Sequence, residues 1–353
     1  MPYPFSLSSP FSARVAGLLA GALLLAGCDN APADPGMVIE GKIMGTVYRV
    51  SLAGVDEARR PALARDILTV LNTDDHEIST YKPDSVLSRF NRYPGSAPQP
   101  ISADMADVLV TSLRIGALTQ GAMDITVGPL VNLWGFGPDK QPVKTPDAAQ
   151  IAAAKQNVGL QHLTVTARTD GQWLQKDRPG VYVDLSTVGE GYATDHLARL
   201  MEQHGISNYL VSVGGAVLSR GHNAQGKPWQ VAIQKPTDRE NAVQAIVDLQ
   251  GHGISTSGSY RNYYELDGKR LSHVIDPATG HPINHKLVSA TVIAPTATLA
   301  DAWDTGLMVL GTEKALALAK QQKLAVYLIT REGDHFAHYM SPQFSTFLVE
   351  QEP

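Results

Sequence analysis

The chain contains one cysteine, Cys28, among its 353 residues. A single thiol excludes intramolecular disulfides, so the fold has to be stable without covalent cross-links. The cysteine follows Arg14 and an apolar run over residues 15–26. This run is shorter than the roughly 20 apolar residues that span a bilayer, so we expect a targeting segment rather than a transmembrane helix.

The apolar run ends in Leu25-Ala26-Gly27-Cys28, which resembles a lipobox, the signal for cleavage before a cysteine that then carries a lipid. An ordinary cleaved signal peptide that happens to end near a cysteine is the alternative. We predict that residues 1–27 are removed, that Cys28 is lipidated and that residues 28–36 form a short leash. Asp29 favours a lipid-anchored protein held in the inner membrane, on its periplasmic side.

Removal of 27 residues leaves 353 − 27 = 326, enough for one large domain or two intimate lobes. The net charge of −5 provides no basic footprint for nucleic acid or anionic lipid. The sequence shows no internal repeat, and no linker divides residues 37–350 convincingly. We therefore expect a single domain over 37–350.

Hydrophobic periodicity predicts a mixture of helices and short strands, which we assign to the α+β class. Helices are expected over 58–80, after Ser102, and near 299–310 and 313–321. The first has an apolar stripe of Leu63, Ile67, Val70 and Leu71. A further helix is expected with Thr145 as N-cap, Pro146 at its first position and Gly159 at its end. Strands are expected over 38–52 with a break at Gly45, and at 163–168, 181–185, 208–218, 229–234, 243–248, 260–266, 270–275, 287–294, 324–330 and 343–348.

The most informative polar cluster is residues 300–305, at the start of a predicted helix. Asp301, Asp304 and Thr305 stand at i, i+3 and i+4, so their side chains share one helix face. Two carboxylates and a hydroxyl are hard oxygen ligands that suit Mg²⁺ better than zinc. The alternative is a capping box, with Thr298 as N-cap and Asp301 as its acidic partner.

A second cluster, residues 183–192, reads as a strand that runs into a helix, with Ser186 or Thr187 at the cap. Backbone N–H groups at such a start favour a phosphate, although a well-capped helix without a ligand has the same pattern. In the third cluster, Asp276-Pro277-Ala278-Thr279-Gly280 has the chemistry of a hairpin turn. His273 precedes it and is either a general base or a structural histidine.

Weaker features point to the same kind of site. Residues 121–137 combine glycines with Asp124 and aromatic side chains, Gly214-Gly215 interrupts a predicted strand, and residues 255–260 are rich in hydroxyl groups that could face an anion. The usual nucleotide signatures, G-x-G-x-x-G after a strand and G-x-x-x-x-G-K-[ST], are absent from the sequence, as is a serine-hydrolase elbow.

Taken together, the clusters resemble the ApbE family of bacterial FAD:protein FMN transferases, over nearly all of the mature chain. The resemblance is carried by several motifs in the family's order: Met44-Gly45-Thr46, Ser79-Thr80-Tyr81, Asp124-Ile125-Thr126-Val127-Gly128-Pro129, Asp184-Leu185-Ser186 with Gly191-Tyr192, Ser257-Gly258, His273-Val274-Ile275-Asp276-Pro277 with Thr279-Gly280, and Ala300-Asp301 with Thr305. The lipoproteins of enteric bacteria are the members that it resembles most.

The resemblance implies one large body of mixed sheet and helices, with an FAD site between its two halves. It implies that FAD is bound by Met44, Tyr81, Ala122, Met123, Asp124, Asp184, Glu190 and Ile275. It implies that Mg²⁺ is held by Thr187, Asp301, Asp304 and Thr305, and that His273 is the base. Many members carry Lys where this chain has Glu190, and an acidic or amide residue where it has Ala216, so Glu190 has no cationic role here.

The implied reaction is Mg²⁺-dependent transfer of FMN from FAD to a Ser or Thr hydroxyl of a target protein, with release of AMP. The acceptors implied by the family are flavoprotein subunits of membrane electron-transfer complexes of the NQR and RNF types. Two alternatives remain open from the sequence. One is a periplasmic FAD pyrophosphatase with water as acceptor, and the other is a non-catalytic flavin-binding lipoprotein.

Overall fold

An eight-stranded antiparallel sheet organises the protein, and its strands come from both ends of the sequence. The computed structural model describes residues 36–138, 142–236, 242–260 and 263–349. The predicted cleavage point, Cys28 and most of the leash therefore lie outside the described residues. All described residues fall within one compact unit, and none of their helices is long and apolar enough to cross a membrane.

Eight α-helices and seventeen strands are present in the described part of the chain. The helices are α1 Arg60–Ile78, α2 Val86–Arg92, α3 Ala103–Leu118, α4 Gly128–Leu133, α5 Ala148–Lys155, α6 Gly189–Gln203, α7 Ala297–Leu310 and α8 Thr312–Gln322. The strands are β1 Met37–Ile43, β2 Thr46–Leu52, β3 Gln99–Ile101, β4 Leu163–Arg168, β5 Gly171–Lys176, β6 Tyr209–Val213, β7 Ala216–Arg220, β8 Gln230–Gln234, β9 Val243–Asp248, β10 Gly253–Gly258, β11 Tyr263–Leu266, β12 Lys269–Ser272, β13 Ile275–Asp276, β14 His281–Pro282, β15 Leu287–Ala294, β16 Ala325–Glu332 and β17 His335–Met340.

The large sheet has the order β1-β2-β6-β7-β10-β15-β16-β17. All eight residues of β15 are buried, because both faces of the sheet are covered at this strand. Ala290 and Val292 belong to the core shared with α7, whereas Ile293 faces the core under the β8–β9 hairpin. On the helical side α6 and α7 pack on the sheet, α1 packs on α6, and α3 packs on α7.

Local signals explain most of the helices. Ser102 caps α3 by accepting the N–H of Met105, and the apolar stripe of α1 buries Leu63, Ile67 and Leu71. The helix after Thr145-Pro146 starts later than predicted. Its N-cap is Asp147, which forms a reciprocal capping box with Gln150, so the prediction of Thr145 as cap is wrong.

Several strand predictions need correction. Residues 181–185 are extended but form no ladder, and residues 343–348 contain a 3₁₀ helix, Phe344–Phe347, instead of a strand. The predicted strand over 208–218 is the β6–β7 hairpin, because Gly214 with a φ of 55° makes its turn. Residues 255–257 belong to β10 rather than to a loop, and β5 and β17 were not predicted.

Candidate active site

A cavity of about 220 Å³ opens beside the end of the large sheet where β10 finishes and β15 begins. Its walls come from the loop after α3, the loop before α6, the segment between β12 and β13, and the middle of α7. Eight of the residues predicted from the sequence line this one cavity: Tyr81, Ala122, Asp124, Asp184, Thr187, His273, Ile275 and Thr305. The walls therefore come from both halves of the sequence.

Two matching turns present the carboxylates of Asp124 and Asp184. Asp124 Oδ1 accepts the backbone N–H and the hydroxyl of Thr126 at 2.7 and 2.6 Å. Asp184 Oδ1 accepts the same two groups of Ser186 at 2.9 and 2.5 Å. The two turns are joined because the N–H of Asp184 donates to the carbonyl of Ile125 at 2.8 Å. Each turn fixes one carboxylate oxygen and leaves Oδ2 outside it.

A buried amide and a buried amine hold the segment that leads to Asp184. The side chain of Asn91 pairs with both the N–H and the carbonyl of Val183, at 2.7 and 2.8 Å. Lys176 is 1% exposed, and its Nζ donates to the carbonyls of Asn91, Pro179 and Val181. Burial lowers the pKa of Lys176. These contacts replace the ladder that a strand over 181–185 would have made.

On α7, Thr305 lines the cavity, whereas Asp301 and Asp304 lie outside the lining and are 7% and 1% exposed. The capping-box interpretation of Asp301 is wrong, because the N-cap of α7 is Thr296, which accepts the N–H of Leu299. Asp301 instead accepts the N–H of Gly191 at 2.8 Å and the hydroxyl of Ser255 at 3.1 Å. Asp301 therefore links α7 to α6 and β10 and does not cap its own helix.

Asp301, Asp304 and Glu190 lie in surroundings that disfavour their ionised forms. Burial raises the pKa of Asp301 well above its ordinary value, and the neighbouring Glu190 raises it further. Burial also raises the pKa of Asp304, with a second contribution from Asp301. Burial raises the pKa of Glu190, while its bond from the N–H of Gly215 at 2.6 Å opposes the shift. A bound cation would reverse these shifts, since it favours the ionised forms.

Two buried oxygens on this side lack a hydrogen-bond partner among the described residues: Asp304 Oδ2 and Thr187 Oγ1. Leaving such groups unpaired costs about 1–3 kcal/mol each, so they call for an explanation. Neither Ser186 nor Thr187 caps α6, whose N-cap is Val188 without a side-chain bond, so that prediction is wrong. Oxygen atoms of carboxylate and hydroxyl type, buried and unpaired, fit a hard divalent cation.

Within the described residues, a group of three or more His, Cys, Asp or Glu side chains arranged around a common metal position is not found. The predicted ligand set is different in kind, since it combines Asp301 and Asp304 with the oxygens of Thr187 and Thr305. Thr305 lines the cavity, and its hydroxyl donates to Asp304 Oδ1 at 3.2 Å.

His273 lies between β12 and β13 and lines the cavity. Its ring stands edge-on to Phe136, with ring centroids 6.4 Å apart. Tyr81 is 63% exposed at the rim, and its hydroxyl donates to the carbonyl of Phe136 at 3.1 Å. The predicted hairpin at 276–280 is confirmed by the pairing of β13 with β14.

Three further predicted residues, Met44, Met123 and Glu190, lie outside the cavity lining. Met44 makes the β1–β2 turn with a φ of 49° and packs against the core beneath that hairpin. Met123 is fully buried in the core, beside Gly306 of α7. Glu190 lies under the β6–β7 turn. The side chain of Met123 thus packs inside the protein, and its N–H donates to the hydroxyl of Thr119 at 3.0 Å.

Three residues that contact the elements of the site were not singled out from the sequence: Asn91, Lys176 and Asp195. The available signals were a lysine inside the alternation of β5 and a half-buried aspartate between buried positions of α6. Each is a polar residue in an apolar pattern, which is informative only once its partners are known.

The fold and the cavity define a protein that binds a small ligand between a sheet end and two helices, beside a cluster of buried oxygen ligands. The chain belongs to the ApbE family, whose model, described as "ApbE family", matches residues 44–328. A relative from Klebsiella pneumoniae (strain 342), named FAD:protein FMN transferase, is 66% identical over 342 residues, covering 96% of this chain and 98% of that protein.

An Escherichia coli (strain K12) relative with the same name is 65% identical over 345 residues, covering 96% of this chain and 98% of that protein. Among solved structures, the flavin transferase ApbE from Vibrio cholerae is similar with a TM-score of 0.81 and 40% identity. The match covers 89% of this chain and 99% of that one, and the α+β assignment is confirmed by it.

Proposed function

We propose that this protein is an FAD:protein FMN transferase that moves FMN from FAD to a Ser or Thr hydroxyl of a target protein. Relatives at up to 66% identity over almost their full length carry that name. The observation that supports the chemistry most directly is one cavity that gathers His273, the paired carboxylates of Asp124 and Asp184, and Thr187 and Thr305 next to the buried acids of α7.

In the transfer, the hydroxyl oxygen of the acceptor forms a bond to the phosphorus of the FMN portion of FAD. The pyrophosphate P–O bond to the AMP portion breaks, and AMP leaves with that electron pair. His273 accepts the proton of the acceptor hydroxyl, a contribution of about 10²–10⁴-fold in rate for general bases. Asp124 and Asp184 bind donor groups of the dinucleotide, and Tyr81 covers it at the rim.

Thr187, Asp301, Asp304 and Thr305 would hold Mg²⁺, because their oxygens are of the type that the ion prefers and two of them are buried without a partner in the described part of the chain. When bound, Mg²⁺ supplies positive charge that neutralises the pyrophosphate and the leaving AMP. The ionisable side chains among the described lining residues are Tyr81, Asp124, Asp184 and His273, so that set supplies no Lys or Arg for this purpose.

A single incubation separates the transferase from its two alternatives. The purified protein is mixed with FAD, Mg²⁺ and a candidate acceptor, and the products are resolved by denaturing gel fluorescence and by chromatography. Covalent flavin on the acceptor supports transfer. Free FMN with AMP supports a pyrophosphatase, and unchanged FAD supports a flavin-binding protein. Either of the last two results contradicts the proposal.

His273→Ala tests the assigned base within that assay. We expect the variant to bind FAD with unchanged affinity, measured by flavin fluorescence, and to lose transfer by at least about 10²-fold. His281→Ala is a matched control, because His281 lies on the nearby β14 but outside the cavity lining. Equal transfer rates in His273→Ala and the wild type would remove His273 from the mechanism.

The cellular setting is part of the same proposal. Lipidation of Cys28 and retention through Asp29 would hold the enzyme at the periplasmic face of the inner membrane, and residues 30–36 would set its reach. Acceptors in NQR- or RNF-type membrane complexes would then meet it at a raised effective concentration. Cys28→Ala should release the protein from the membrane fraction while leaving transfer in solution intact.

A further inference from the structure

Asp195 of α6 makes three hydrogen bonds to the first turn of α7. Its Oδ1 accepts the N–H of Ala297 at 2.8 Å, and its Oδ2 accepts the N–H and the hydroxyl of Thr298 at 2.9 and 2.6 Å. The first N–H groups of a helix have no partner inside the helix. At α7 two of them are bound by a side chain from a different helix.

The helix does not depend on Asp195 for an ordinary cap. Thr296 already accepts the N–H of Leu299 through its hydroxyl and the N–H of Ala300 through its carbonyl. The bonds from Asp195 are therefore additional, and they join α7 to α6 rather than closing α7 on itself. Such a connection fixes where the helix starts relative to its neighbour.

The two helices also touch at their backbones, one turn before Asp195. A Cβ at Gly191 would lie 2.5 Å from the carbonyl oxygen of Ala297 and 2.8 Å from Cβ of Asp301. The N–H of Gly191 donates to Asp301 Oδ2 at 2.8 Å. Gly191 thus allows the backbones of α6 and α7 to approach closely. The hydrogen bonds of Asp195 link α7 to α6 one turn further along.

This contact joins the two parts of the proposed metal site. Thr187 precedes α6 by two residues, whereas Asp301, Asp304 and Thr305 lie on α7, beginning one turn after Thr298. A helix rises about 1.5 Å per residue. If α7 slid along α6 by that distance, each of its ligand oxygens would be displaced by about 1.5 Å relative to Thr187. Side chains that orient ligands typically change metal affinity by about 10–100-fold when removed.

We propose that Asp195 is a positioning residue, which clamps α7 to α6 and so sets the spacing between Thr187 and the oxygen ligands of α7. The inference rests on the Mg²⁺ site of the proposed function. Asp195 is not among the residues that line the cavity, and its hydrogen bonds go to the first turn of α7. Burial and Glu190 account for most of the raised pKa of Asp301, and the charge of Asp195 adds a smaller contribution, which Asp195→Asn and Asp195→Ala remove alike.

The test compares Asp195→Ala, Asp195→Asn and Thr296→Ala in the complete mature protein. Thr296→Ala is the matched control, because it removes a cap from the same helix turn without cutting the link to α6. Binding of Mg²⁺ is measured by calorimetry on FAD-free protein, and Mn²⁺ binding by electron paramagnetic resonance. Melting temperature and FAD affinity are recorded for each variant.

We expect Asp195→Ala and Thr296→Ala to lower the melting temperature by similar amounts. Asp195→Ala should weaken Mg²⁺ and Mn²⁺ binding by about 10-fold or more, and Thr296→Ala by less than about 2-fold. Asp195→Asn keeps one acceptor oxygen and should fall between the wild type and Asp195→Ala. That graded order is the signature of positioning, and it is readable even if Asp195→Ala folds poorly.

Equal weakening of metal binding by Asp195→Ala and Thr296→Ala would reduce Asp195 to a helix cap and overturn the inference. Unchanged metal binding in both Asp195 variants would also overturn it. In either case the wild type would still transfer FMN, so the proposed function would stand. If the wild type itself binds neither ion, the metal site of the proposed function fails, and the positioning role fails with it.

Discussion

The two sides of the cavity differ in whether their side-chain oxygens are hydrogen-bonded within the protein. On one side, which we call the Asx wall (residues 124–126 and 184–186), each aspartate oxygen inside the turn is bonded to an N–H and a hydroxyl two residues later. On the other side, which we call the α7 wall (Thr187, Asp301, Asp304 and Thr305), buried oxygens of Asp304 and Thr187 lack a partner in the described structure.

The turn oxygens of the Asx wall are hydrogen-bonded within the fold, whereas the unpaired oxygens of the α7 wall can still accept a ligand. The Asx wall is rigid before any ligand arrives, since its turns are joined to each other and held by Asn91 and Lys176. The α7 wall holds acids whose pKa values are raised by burial. Their negative charges destabilise the folded protein unless a bound cation or bound protons neutralise them. In the proposed function, dinucleotide recognition belongs to the first wall and charge neutralisation to the second.

The largest effect is expected from Asp304→Asn on the α7 wall. Transfer should fall by about 10²-fold or more, because a neutral amide oxygen is a weaker Mg²⁺ ligand than a carboxylate. The metal-free protein should keep or gain stability, by up to about 2 kcal/mol, because one buried acid is removed from a repelling group. The FMN transfer assay measures the first part, and urea unfolding with and without Mg²⁺ measures the second.

The comparison between the walls breaks if Asp304→Asn destabilises the metal-free protein by several kcal/mol. That result would mean that the carboxylate of Asp304 is satisfied within the protein. Asp195 and Thr296 remain unchanged in this variant, so a shift in the helix start is not expected to contribute.

The next largest effect is expected from Asp184→Ala on the Asx wall. The variant should lose about 1 kcal/mol of stability with or without Mg²⁺, because it removes the bonds from Ser186. FAD affinity should fall about 10-fold, equivalent to about 1.4 kcal/mol of binding energy. Fluorescence titration of FAD measures the affinity, and an Mg²⁺ affinity that falls as strongly would contradict the separation of the two walls.

A structural feature of this protein could be predicted from the sequence when the residues that determine it are close together in the chain. The helix after Ser102, the α1 stripe and the hairpin at 276–280 were predicted because their determinants lie within a few residues. Residues 181–185 have the apolar pattern of a strand, but their partner is the side chain of Asn91, some 90 residues away in the chain. A hydrogen bond of that separation has no local pattern.

The site residues divide in the same way. The shared helix face of Asp301, Asp304 and Thr305 follows from their spacing, whereas the choice between capping and a ligand role did not. That choice depends on Thr296 as the true cap and on Gly191 and Ser255 as partners of Asp301. The family resemblance supplied the grouping of the motifs, and the structure supplies which of their oxygens remain unpaired.

A smaller effect on function is expected from Lys176→Met behind the Asx wall. The variant leaves the carbonyls of Asn91, Pro179 and Val181 without their donor, which should lower the free energy of unfolding by about 2–4 kcal/mol. Transfer at saturating FAD should change little, while KM for FAD rises a few-fold. Lys314→Met on the exposed side of α8 is the control and should alter neither quantity.

The smallest effect is the pH dependence that Lys176 gives to the stability of the Asx wall. Burial lowers the pKa of Lys176 below its ordinary value of 10.5, so between the lowered pKa and 10.5 the unfolded chain holds a proton that the folded protein has released. Unfolding then takes up a proton, and the free energy of unfolding rises with pH in that window. The wild type should therefore gain stability relative to Lys176→Met as the pH approaches 10.5, measured by urea unfolding of both proteins at matched pH values. A difference that narrows instead would show that the three carbonyls stabilise the ammonium form more than burial disfavours it, and the support of the Asx wall would then be ionic in character.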